Sequence, residues 1–123
     1  MKPDLHLKAT LRLVDNEGQR CFGPGVAALL EGVQELKSLR AAAGAMGMAY
    51  SKAWRILRTA EDAFGCKLLD STIGGRHGGG AVLTPQAEAI LEAYQHLRRD
   101  VEEYSQRQFD GLFGPLLPPA QTL

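Results

Sequence analysis

Polar and apolar positions alternate at the start of the chain: Leu5, Leu7, Ala9, Leu11 and Leu13 are separated by His6, Lys8, Thr10 and Arg12. A period of two places the apolar set on one face of a β-strand. Asp15-Asn16-Glu17-Gly18 supplies turn chemistry and Gln19 to Phe22 can return as a short strand, so the pattern predicts an N-terminal hairpin within residues 1–22. After Gly23-Pro24-Gly25 the period changes. Val26, Leu29, Leu30, Val33 and Leu36 recur at helical spacing, with Pro24 tolerated in the first turn. Ser38 can cap a second, short helix whose apolar face is Leu39, Ala42, Ala43 and Met46, and Gly47 ends it. A third helix follows almost at once, from Tyr50 or Ser51 to Phe64. Its buried stripe is Ala53, Leu57, Ala60 and Phe64, with Trp54 beside it and Gly65 closing it.

Two short helices joined by a tight glycine-containing turn form a helix-turn-helix, and the small residues Ala41 to Gly44 let the second helix cross the first closely. The alternative is a plain helical hairpin in a bundle. Downstream, the segment STIGGRHGGGAVLTP, Ser71 to Pro85, places glycines between two short apolar runs, Lys67 to Ser71 and Ala81 to Leu83, which can pair as a hairpin. Thr84-Pro85 then reads as a cap followed by proline at the first helical position. No residue breaks that helix before Phe109, a length of about 37 Å at 1.5 Å per residue. Its apolar positions Ile90, Tyr94, Leu97, Val101 and Tyr104 have heptad spacing, which suits pairing with a two-fold-related copy. The alternative is packing on the same chain's core. The tail, residues 110–123, is rich in proline and glycine and is expected to be irregular.

Composition narrows this picture. At 123 residues the chain suits one domain. Cys21 and Cys66 are far apart and in no metal or redox spacing, which points to reduced thiols. The start, MKPDLHLKAT, lacks the apolar segment of a secretory signal, and no apolar run reaches the length of a membrane span; the expected location is cytoplasmic. Formal net charge is zero, but its distribution is uneven: residues 37–76 hold seven basic side chains against three acidic ones, a net of +4, between acidic flanks.

Several chemistries fail on spacing. GGRHGGG is followed by no Lys-Ser/Thr and lacks the dinucleotide glycine pattern, so it is no nucleotide loop. His6, His77 and His96 fall on a strand, a loop and a helix without ligand spacing, so neither a metal nor another cofactor is expected. No nucleophile, base and acid constellation stands out, and the chain does not read as an enzyme. DNA binding uses the parts better. Ser51, Lys52, Arg55, Arg58, Thr59 and Asp62 lie largely opposite the apolar stripe of the third helix. In a recognition helix, Lys and Arg can read guanine while Ser and Thr hold phosphate or a base edge. Ser51, Lys52 and Arg55 are the leading candidates, with Tyr50 at the helix start and Arg58 and Thr59 behind; Ser38 and Arg40 are placed to meet the DNA backbone.

From Gly23 to about Tyr104 the sequence resembles the N-terminal DNA-binding domain of molybdate-responsive regulators of the ModE type, related to the LysR-type domain. The resemblance is carried by FGPGVAALLEGV, LRAAAGAMGMAYSKAW, GGRHGGGAVLT and TPQAEAIL. It implies a winged helix-turn-helix that dimerises through long helices and binds two-fold-related half-sites on double-stranded DNA. Where the family's wing carries GGKGGGG, this sequence has Arg76 in place of lysine and His77 in place of a glycine. Full-length regulators continue into oxyanion-binding domains. The sequence ends soon after its last long helix, so the expectation is a DNA-binding unit without an effector domain of its own.

The resulting expectation is a mainly α fold with small β elements: a winged helix-turn-helix over residues 1–109, with a hairpin at 1–22 and a dimerisation helix at 85–109, then a tail at 110–123. The expected function is a dimeric, sequence-specific transcriptional regulator in which Arg76 of the wing meets phosphate or the minor groove, and His77 beside it either adds a DNA contact or only stiffens the loop. The alternatives are a protein-interaction module that partners a separate sensor chain, and a small-oxyanion binder at the glycine loop.

Overall fold

A computed structural model describes residues 5–72 and 80–119 of the chain. In chain order the elements are β1 (Leu13–Val14), β2 (Arg20–Phe22), α1 (Pro24–Leu36), α2 (Leu39–Ala45), α3 (Tyr50–Phe64), β3 (Leu69–Ser71), β4 (Ala81–Leu83) and α4 (Pro85–Phe113), with a 3-10 turn at Gly114–Leu116. The architecture is mainly α with two separate antiparallel hairpins, β1 with β2 and β3 with β4.

Local chemistry sets most of the boundaries. Pro24 occupies the first turn of α1, and Ser38 Oγ accepts from the Ala41 N–H at 3.1 Å to start α2. Gly47 and Gly65, both at positive φ, end α2 and α3. Thr84 starts α4 with a hydroxyl that accepts from the Ala87 N–H at 3.0 Å and donates to the Lys67 carbonyl at 2.7 Å. Thr84 is buried, so one side chain both caps the long helix and ties it to the segment just before β3.

The four helices enclose one core. Leu29, Leu30 and Val33 of α1, Leu39 and Ala42 of α2, Ala53 and Leu57 of α3, and Leu91 and Tyr94 of α4 meet there, with Phe22 at the centre of an aromatic group. Its ring lies 6.0 Å from Phe64, edge-on, and 5.0 Å from Tyr94. α1 and α2 approach closely because Gly32 faces Ala42; a Cβ on residue 32 would stand 2.8 Å from the Ala42 Cβ. The wing is seated on α1. β3 and β4 pair Leu69 with Leu83, Asp70 with Val82 and Ser71 with Ala81, and the Ala81 N–H donates to the Lys37 carbonyl at 2.9 Å. Gly80 is required at this junction, since a Cβ there would lie 2.5 Å from the Lys37 carbonyl oxygen.

Four expectations are corrected. The alternation from Leu5 to Arg12 does not form a strand; β1 begins only at Leu13 and is bulged against β2. β2 cannot supply a longer partner because α1 starts two residues after it ends, and the preceding segment runs beside α4 instead. There the Leu11 carbonyl accepts from the Tyr94 hydroxyl at 2.7 Å, and Leu7 to Ala9 share a shallow cavity with Glu102 and Gln106. Leu36 and Met46, assigned to apolar helix faces by spacing, are exposed, lying at the last turn of α1 and just past α2, where no described element covers them. Phe64, also assigned to a buried stripe, keeps 40% of its surface exposed although its ring meets Phe22. Finally, α4 continues past Phe109 through Gly111 to Phe113, so the first part of the tail is helical. A mid-helix glycine costs about 1 kcal/mol relative to alanine. Stacking of Phe109 on Phe113 at 5.4 Å and a Gln106–Asp110 hydrogen bond of 2.9 Å bridge that weak point.

Candidate nucleic-acid interface

α3 buries Ala53, Leu57 and Ala60 and thereby turns Ser51, Lys52, Arg55, Arg58 and Asp62 to solvent. Ser51, Trp54, Arg55, Arg58, Thr59 and Asp62 line an open concavity of about 340 Å³ along this face. The charges on it are available. Arg58 and Asp62 are four residues apart, yet among the described residues the ion pair within 4 Å is His96 with Asp100, on α4. Among the described residues the guanidinium groups of α3 therefore carry no carboxylate contact within 4 Å that a polyanion would have to displace.

The other residues expected at such a surface fall into distinct positions. Thr59 is half-buried, and its hydroxyl donates to the Arg55 carbonyl at 3.1 Å, which leaves only its oxygen lone pairs for a ligand. Arg40, near the start of α2, places its guanidinium 4.1 Å from the centre of the Tyr50 ring. Tyr50 in turn meets Trp54 edge-on at 6.3 Å, so Arg40, Tyr50 and Trp54 form a chain of contacts across the start of α3. Ser38 is half-buried, with its oxygen engaged as the α2 cap. Arg76 and His77 lie outside the described residues; the strands that lead to them, β3 and β4, are paired as a wing. Sequence reasoning set Trp54 beside the apolar stripe, whereas it also lines the polar face. The available signal was its spacing of three and four residues from Ser51 and Arg58.

The heptad positions of α4 divide. Tyr94 is 3% exposed, sits in the chain's own core and bonds the N-terminal segment, and Ile90 packs against the same core. Val101 is half-buried. Leu97 and Tyr104 are 46% and 59% exposed and stand on one free side of the helix. No helix among the described residues is long and apolar enough to cross a membrane.

Comparison with known proteins gives these features a context. Residues 27–88, from α1 to the first turn of α4, match the family described as bacterial regulatory helix-turn-helix protein, lysR family. The chain is 34% identical over 102 residues to the molybdenum transport protein ModE of Herbaspirillum seropedicae, covering 83% of this chain and 36% of that protein. It is 33% identical over 82 residues to the molybdenum-pterin-binding protein MopB of Rhodobacter capsulatus, covering 67% and 30%. Against the transcriptional regulator ModE of Haemophilus influenzae it is 35% identical over 74 residues, covering 60% and 29%. The chain thus spans about a third of the length of the curated relatives it matches.

Proposed function

The chain belongs to the LysR family of bacterial regulatory helix-turn-helix proteins, a non-catalytic DNA-binding family, and is related to ModE and MopB; from that premise we propose that it acts as a dimeric, sequence-specific transcriptional regulator in the cytoplasm. The observation that carries the reading is the outward face of α3, where three cationic side chains project from a helix whose other face is locked into the core. α3 enters the major groove with its N-terminal half. Ser51, Lys52 and Arg55 reach base edges there, and Arg58 and Thr59 lie behind them. Ser38, and Arg40 held over Tyr50, meet the backbone on one flank. Arg76 and His77 of the wing reach phosphate or the neighbouring minor groove. Two chains pair along the free side of α4 through Leu97, Val101 and Tyr104, with Ile90 at its edge; Tyr94 belongs to the core and is left out of this contact.

A second reading rests on the same free side of α4: an interaction module that docks a separate sensor chain there. Duplex binding separates the two. The regulator binds double-stranded DNA at micromolar concentration with strong salt dependence, whereas the interaction module does not bind it even at low salt. Once a target is found by mapping bound genomic sites, Arg55→Ala is expected to weaken it by about 1–3 kcal/mol more than random DNA. Equal losses on both would reduce Arg55 to a backbone contact.

A further inference from the structure

The N-terminal hairpin brings two arginines to the flank of α3. Arg12 and Arg20 line an open cavity of about 240 Å³ whose far wall is Ile56 and Thr59 of α3. Thr59 also lines the concavity that contains Arg55 and Arg58, so the two surfaces share a residue. The placement of Arg12 is structural in origin. Its aliphatic stem lies over Gly23, with Cγ 3.2 Å from where a Cβ on that residue would stand, and this carries the guanidinium along the start of α1. Arg20 faces solvent on β2 opposite Val14, while the next two residues, Cys21 and Phe22, turn inward. Both arginines are exposed.

Charge around this cavity is one-sided. No carboxylate is among the described residues that line it, and neither arginine is in an ion pair among the described residues. The hairpin's own carboxylates, Asp15 and Glu17, sit in its turn, where Asp15 Oδ1 accepts from the Glu17 and Gln19 N–H groups at 2.8 and 2.9 Å. These two guanidinium groups adjoin, through Thr59, the α3 concavity that holds Arg55 and Arg58 with one carboxylate, Asp62, so cations predominate across both surfaces, and a regularly spaced polyanion is a ligand that such an arrangement fits.

We propose that Arg12 and Arg20 form a second contact with the duplex, on the phosphate backbone alongside the groove that α3 enters. The inference rests on the DNA-binding reading of α3 and extends it to the N-terminal hairpin, outside the matched residues 27–88. Phosphate contacts carry affinity and register but no base readout, so the hairpin strengthens binding to all sequences alike.

The test is the salt dependence of binding to a fluorescent duplex of mixed sequence, followed by anisotropy with the full chain. With Arg12→Gln and Arg20→Gln combined, which keeps much of each stem, the log–log slope is expected to fall by about 0.9 for each arginine in contact. Arg12→Lys with Arg20→Lys should restore it, and Arg107→Gln, on α4, should leave it unchanged. A wild-type slope in the double Gln variant, with its circular dichroism and melting temperature intact, overturns the hairpin contact while DNA binding by α3 stands. An equal fall with Arg107→Gln also overturns it, because the effect would then be one of net charge. Failure of the wild-type chain to bind duplex at low salt overturns the underlying reading instead.

Discussion

α3 and α4 are both anchored in the same core, yet they present opposite chemistry to solvent. α3 shows Lys52, Arg55 and Arg58 around a polar concavity. α4 runs for 29 residues, about 44 Å at 1.5 Å per residue, and beyond Tyr94 it leaves Leu97 and Tyr104 uncovered. Exposed cations are well solvated and need no partner for stability. Exposed apolar area, in contrast, is disfavoured by about 25 cal/mol per Å² and marks a surface that another molecule can cover. In the function proposed above this difference divides the tasks between the helices: α3 offers charge to a polyanion, and α4 offers apolar area to a second chain.

Three variants probe that division, beginning with the largest effect. Leu57→Ala cuts the inward face of α3, where the side chain is fully buried, and is expected to destabilise the fold by about 2–5 kcal/mol. Chemical denaturation measures this, and a loss below 1 kcal/mol would mean that α3 is not anchored as described. Leu97→Glu with Tyr104→Glu alters only the free side of α4. It should weaken self-association by about tenfold or more, equivalent to about 1.4 kcal/mol, with the monomer fold retained. Sedimentation equilibrium reads this directly; unchanged association would remove the dimer from this face. Tyr94→Phe is the counterpart on the inner side of the same helix. Loss of its hydrogen bond to Leu11 should lower stability by about 0.5–1.5 kcal/mol without altering association. A shift in oligomeric state instead would return Tyr94 to the interface.

Much of the fold was legible in local patterns. Ser38 as a cap, Gly47 and Gly65 as stops, and Thr84-Pro85 at the start of α4 all follow from interactions within a few residues. The cationic face of α3 was legible for the same reason, since helical periodicity separates Arg55 and Arg58 from Leu57 without further information. The N-terminal alternation misled because a period of two needs a partner strand as well as an apolar face. With β2 limited to three residues before α1, Leu5 to Arg12 had no such partner. Tyr94 shows a similar limit: heptad spacing identified its side of the helix, but not which body would cover it.

The sequence by itself determined where helices begin and end and which face of α3 is charged, because caps, stops and helical periodicity act between residues close along the chain. Only the tertiary structure decided that the segment from Leu7 to Leu11 lies along α4, that Tyr94 is core while Leu97 is exposed, and that Arg12 and Arg20 stand beside Thr59. Each of these depends on which distant segments occupy the same space, and packing settles that only when the whole core closes around Phe22.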